Sequence, residues 1–102
     1  MKLANNYSLD KIIDKKSIKK RVHELSKEIS SYFSEDEELI VICVLNGSII
    51  FCSDLIKNMG PNVLLDTIRI KSYHKRNKKN LNVLNDIVTE IEGKNVLIVE
   101  DI

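Results

Sequence analysis

The chain predicts an α/β domain built on a parallel sheet, and three observations carry that expectation. Leu39-Ile40-Val41-Ile42-Cys43-Val44-Leu45 is apolar at every position and rich in β-branched residues, the pattern of a strand covered on both faces. Val63 to Lys71 and Val96 to Val99 repeat that β-branched character. Helical periodicity precedes the first strand and recurs between the first and second, an order that fits a parallel sheet with crossovers rather than a bundle or sandwich.

Residues 1 to 14 show no clear period, although Leu9, Ile12 and Ile13 are placed to cover an edge of a core. From Lys15 to Phe33, Ile18, Val22, Leu25, Ile29 and Tyr32 or Phe33 recur at helical spacing, with Asp14 available as the N-cap. Ser34 to Glu38 is a polar break before the first strand. Asn46-Gly47-Ser48 then turns the chain, and Phe51, Cys52, Leu55, Ile56 and Met59 form a helical stripe that Gly60-Pro61 stops.

The strand from Val63 begins apolar and then alternates Ile68 and Ile70 with Arg69 and Lys71, so its end is expected to be half exposed. Residues 72 to 80 carry Lys and Asn, with the ring of Tyr73 as the one apolar side chain, and predict a mobile loop or arm. Leu81 to Leu84 reads as a short strand and Asp86 to Ile91 as a turn of helix. Glu92-Gly93-Lys94-Asn95 leads into the closing strand.

A chain of 102 residues with 43% apolar residues makes one small domain, residues 1–102, that buries roughly two thirds of its extended-chain surface. A net charge of +1 supplies no global field for nucleic acid or an anionic membrane, so any basic patch is local. The longest apolar run, Leu39 to Leu45, is far too short to span a bilayer. Met1-Lys2-Leu3-Ala4 meets Asn5-Asn6 before a signal-peptide core can form, and the expected location is the cytoplasm.

Cys43 and Cys52 have neither metal-type spacing nor a Cys-x-x-Cys pattern and are expected to be buried apolar side chains. His23 borders the apolar stripe of the first helix, and His74 lies in the basic segment. No Ser-His-Asp set or zinc constellation can be assembled.

Right-handed crossovers bring the turns after Leu45, Lys71 and Val99 to one rim, where α/β sheets bind ligands. At Asn46-Gly47-Ser48 a buried strand passes through a Gly turn into a helix, a geometry suited to phosphate and equally to a plain structural turn. Glu100-Asp101 offers oxygen ligands to ribose hydroxyls or hydrated magnesium, with a solvated strand end as the bland alternative. Arg69 to Lys79 is dense in positive charge around Tyr73. That pattern suits a nucleic-acid grip, a lid over an anionic substrate, or a solvated loop.

Taken together, the segments resemble the N-terminal half of a hypoxanthine or hypoxanthine-guanine phosphoribosyltransferase. The resemblance rests on Val44-Leu45-Asn46-Gly47-Ser48 followed by Phe51, Asp54 and Leu55; on Asp66 to Tyr73; and on Gly93-Lys94-Asn95-Val96-Leu97-Ile98-Val99-Glu100-Asp101-Ile102. It implies a type I phosphoribosyltransferase fold lacking its C-terminal half, and transfer of phosphoribose from phosphoribosyl pyrophosphate to hypoxanthine or guanine with magnesium bound.

By the same resemblance, Asn46 and Gly47 hold pyrophosphate and the Leu45-Asn46 peptide is cis. Ser72 and Tyr73 belong to a closing lid, and Glu100 and Asp101 meet the ribose and the metal. Asn46 stands where many members carry Lys or Arg. The family's catalytic carboxylate and purine-recognition residues fall beyond Ile102, so no catalytic residue is assigned and the 102 residues alone are expected to be inactive. The full-length form is expected to be a homo-oligomer. A nucleic-acid-binding module using residues 69 to 79, or a regulatory module keeping only the fold, is the alternative.

Overall fold

A computed structural model of the chain describes residues 10, 12–60, 62–76 and 78–101, so Leu9, Pro61 and Ile102 lie outside the described residues. Helix α1 spans Lys15–Ser30 and is capped by Asp14, whose Oδ1 accepts the Ser17 N–H at 2.7 Å. The helix ends three residues before Phe33. Tyr32 and Phe33 bond back to Ile29 and Ser30 in a tighter turn, which still delivers Phe33 to the core.

Strand β1 (Leu39–Leu45), helix α2 (Ile49–Ile56), and strands β2 (Val63–Lys75), β3 (Lys78–Asn85) and β4 (Asn95–Val99) follow. The sheet order is β3-β2-β1-β4, with β1 parallel to both β2 and β4. Strand β3 runs antiparallel to β2, so the sheet is mixed rather than wholly parallel.

Register divides the sheet into two faces. Leu39, Val41 and Cys43 of β1 join Val99, Cys52 and Leu55 in one core, against which Val22, Leu25, Ile29 and Phe33 pack. Ile40 and Ile42 point the other way, on the face shared with Leu64, Asp66, Val96 and Ile98. The central strand is covered on both sides, with Ile40 fully buried, whereas Ile98 on the edge strand is 64% exposed. No helix among the described residues is long and apolar enough to cross a membrane.

Three further expectations are corrected. Ile12 and Ile13 do not cover an edge of the core but are exposed. The described residues 72–75 and 78–80 do not form a loop: β2 continues to Lys75 and pairs with β3 from Lys78, making a two-stranded ribbon. A ribbon that extends beyond the sheet is held by its backbone ladder and needs no buried apolar face, so polar composition does not betray it.

Residues 86–91 form no helix but cross the Ile40 face as irregular chain. Half-buried Asp66 holds them there, its Oδ2 accepting the N–H groups of Val88 at 2.9 Å and Thr89 at 2.8 Å. Its Oδ1 accepts from the Thr67 N–H at 2.7 Å. Hydrogen bonding from Thr89 above all, then from Thr67 and Val88, holds the Asp66 carboxyl down at about 2.

Candidate functional site

The C-terminal ends of β1, β2 and β4 lie on one rim because the three strands run in the same direction. Cys43 pairs with Val99, and Leu45 pairs with Arg69. Beyond Leu45 the chain turns through a cis Leu45-Asn46 peptide, as the resemblance implies. The Asn46 carbonyl accepts the Ile49 N–H at 3.1 Å, which closes the turn onto α2. Asn46 and Gly47 are exposed.

Gly47 meets the acidic pair directly. A Cβ built on Gly47 would lie 1.8 Å from Asp101 Oδ2 and 2.6 Å from its Cγ, so the carboxylate occupies space that any other residue would fill. Two sequence segments 54 positions apart therefore meet as one surface. The requirement for glycine here is close approach of another group.

Glu100 and Asp101 are both exposed at the end of β4. Among the described residues, no group of three or more His, Cys, Asp or Glu side chains is arranged to hold a metal ion. Two carboxylates at an open strand end fit magnesium that keeps water and takes further oxygens from a substrate's phosphates.

Ser72 and Tyr73 pair with Leu81 and Asn80 in the ribbon, three and four residues past the Arg69–Leu45 pair. The ribbon thus runs past the rim that bears the turn and the acids. Ser72 is exposed, and the Tyr73 side chain, like that of His74, lies outside the described residues. The structure brings Gly47 and Asp101 into contact, with Asn46 and Glu100 as their chain neighbours, and gives Ser72 no hydrogen bond to these residues among the described residues.

Other candidates resolve into structural roles. Cys43 and Cys52 are buried free thiols, and burial, reinforced by neighbouring Cys43, pushes Cys52 up to about 11. His23 is exposed, with its Nδ1 3.3 Å from Asn58 Oδ1. A cavity of about 420 Å³ lies at the opposite end of the sheet, between Phe33, Leu39, Met59 and Val63, away from the acidic pair.

Sequence reasoning missed Ser48 and Asp66. Ser48 is fully buried, its hydroxyl directed at the ends of β1 and β4. Asp66 did carry a signal: a carboxylate following Val63-Leu64-Leu65 in an apolar strand must find donors to offset its desolvation.

The chain is similar over its whole length to a hypoxanthine-guanine phosphoribosyltransferase of Aquifex aeolicus (strain VF5), 36% identical over 104 residues and covering 58% of that protein. A hypoxanthine-guanine-xanthine phosphoribosyltransferase of Tritrichomonas foetus is 40% identical over 86 residues, 83% of this chain and 46% of that one. A crystal structure of a hypoxanthine-guanine phosphoribosyltransferase from Bacillus anthracis superposes with a TM-score of 0.79 at 36% identity, covering 88% of this chain and 54% of that one. The chain thus spans about half the length of the relatives it matches. The phosphoribosyl transferase domain family matches residues 8–102, and the chain belongs to that family.

Proposed function

We propose that this chain carries the phosphoribosyl pyrophosphate side of a purine-salvage phosphoribosyltransferase acting on hypoxanthine or guanine. The observation that carries the reading is the contact between Asp101 and Gly47, which joins a Gly turn at a helix start to a carboxylate pair at a strand end. One element suits an anionic diphosphate and the other suits ribose hydroxyls, so one elongated ligand bearing both groups fits the rim.

In the proposed reaction, a purine ring nitrogen bonds to C1′ of the ribose as the C1′–O bond to pyrophosphate breaks, and the proton that nitrogen carried passes to solvent. Positive charge grows on the ribose ring and negative charge on the leaving pyrophosphate. Backbone N–H groups at Asn46 and Gly47 meet the leaving group in this reading, and the carboxylates of Glu100 and Asp101 hold the ribose hydroxyls and face its growing positive charge. Glu100 and Asp101 are the residues that would hold magnesium, which would supply neutralisation of pyrophosphate charge. The β2–β3 ribbon, with Ser72 and Tyr73, serves as a cover that excludes water.

The free buried thiols suit a reducing compartment and support a cytoplasmic setting. Titration calorimetry with phosphoribosyl pyrophosphate and magnesium tests the reading. Glu100→Gln with Asp101→Asn is expected to abolish the magnesium-dependent binding; undiminished binding in that variant would sink the assignment. Oligonucleotide binding that tightens with length and survives in the same variant would favour a nucleic-acid module instead.

A further inference from the structure

Ser48 stands at the N-cap of α2, yet its hydroxyl makes no capping hydrogen bond to that helix. A capping serine ordinarily accepts an N–H from the first turn. Here the hydroxyl points back into the sheet, donating to the Val44 carbonyl at 2.5 Å with the Val99 carbonyl 3.2 Å away. Val44 sits just before Leu45-Asn46, and Val99 sits just before Glu100. The side chain is fully buried, and Cys43 Sγ lies 3.2 Å from its oxygen.

A hydroxyl carries one proton, so the two carbonyls share a single donor. The turn, the end of β1 and the end of β4 therefore converge on one oxygen. Sliding the turn away from β4 lengthens the Val99 contact and leaves a buried carbonyl short of a partner, which opposes that movement.

We propose that Ser48 is a positioning residue that holds the Asn46-Gly47 turn in fixed relation to the Glu100–Asp101 pair. Its effect on ligand affinity rests on the phosphoribosyl pyrophosphate reading, whereas the geometric role does not. Acting through the hydroxyl, Ser48 sets where Asp101 meets Gly47, and it leaves the Ile50 and Phe51 amides of α2, unlike that of Ile49 which the Asn46 carbonyl takes, without a serine acceptor.

The test compares Ser48→Ala with Ser48→Cys in the full chain. Alanine removes the hydroxyl and leaves the space empty, whereas cysteine fills that space with a larger sulfur that donates only weakly, so a defect common to both follows the lost hydrogen bond. In both variants the amide resonances of Gly47 and of Glu100 and Asp101 are expected to shift together, with loss of the nuclear Overhauser contact between Gly47 and the Asp101 side chain. Affinity for phosphoribosyl pyrophosphate with magnesium is expected to fall about fivefold in each.

Wild-type behaviour of Ser48→Cys would reduce the residue to a space filler and overturn the proposal. Resonance shifts confined to residues 43–48, with 100 and 101 unmoved, would overturn it too. Ser48→Cys carries the test if Ser48→Ala does not fold. A wild-type chain that binds no phosphoribosyl pyrophosphate refutes the functional reading, while the resonance comparison still decides the role of Ser48.

Discussion

Substituting Gly47 by Ala places a methyl group 1.8 Å from Asp101 Oδ2, so the carboxylate must withdraw by roughly 1.7 Å to reach an ordinary contact of about 3.5 Å. Which group yields decides the outcome. All three atoms nearest the added methyl belong to the Asp101 side chain, which is exposed and free to rotate. The cost to the fold is that of an altered side-chain rotamer, about 0.5–1.5 kcal/mol, and melting should drop by no more than several degrees.

The cost to a ligand is larger. A displaced Asp101 forfeits a charge-assisted hydrogen bond of about 1.5–3 kcal/mol, or roughly ten- to hundredfold in affinity. Calorimetry with phosphoribosyl pyrophosphate and magnesium, beside a thermal melt of the same sample, reads both quantities. Binding within about twofold of wild type would refute the claim that the Gly47–Asp101 contact organises the site. Loss of the folded state would refute the claim that the side chain yields.

Gly93 offers the opposite signature. Its φ is +72° with nothing within 4 Å of an added Cβ, so Gly93→Ala should lower stability by about 1 kcal/mol through backbone conformation alone and leave ligand affinity unchanged. Asp66 titrates low in the folded protein, at about 2 against an ordinary 3.8, so its contribution is present above the ordinary value and is lost as pH falls through about 2. Hydrogen-exchange protection of the Val88 and Thr89 amides should fade across that interval, and Asp66→Asn should remove the pH dependence. Because Ile98 is mostly exposed on β4, Ile98→Thr should reduce self-association in sedimentation experiments while leaving the melting temperature within about 2 °C.

Strand β1, both helices and the shared rim were legible because their signals are local: an unbroken apolar run, a 3.6-residue stripe, and Gly at a strand-to-helix turn. Val63–Lys71 and Leu81–Leu84 read as strands, but the outer half of the β2–β3 ribbon was not legible, because it is stabilised by backbone pairing and shows no alternation of apolar side chains. The path of residues 86–91 depends on Asp66, about twenty positions upstream, and no window short enough to show periodicity contains both. Likewise Ser48 read only as part of the strand-to-helix turn with Asn46 and Gly47. Its actual partners, Val44 and Val99, belong to strands that only the fold brings together.

Register explains why the rim can act as one site. Continuing the Cys43–Val99 pairing would set Leu45 level with Asp101, two residues short of Gly47. The turn after Leu45 folds the chain back, so Gly47 comes over the end of β4 where a straight strand would have run past it. A turn one residue longer or shorter would change which residue meets the Asp101 carboxylate, and every residue except glycine would exclude it. The glycine and the carboxylate are therefore a matched pair set by strand register. Replacing Asp101 by Ala should make alanine at position 47 nearly neutral for stability, whereas either change alone weakens ligand binding. That non-additivity, read in a double-mutant cycle on the melting temperature, distinguishes a steric match from two independent roles.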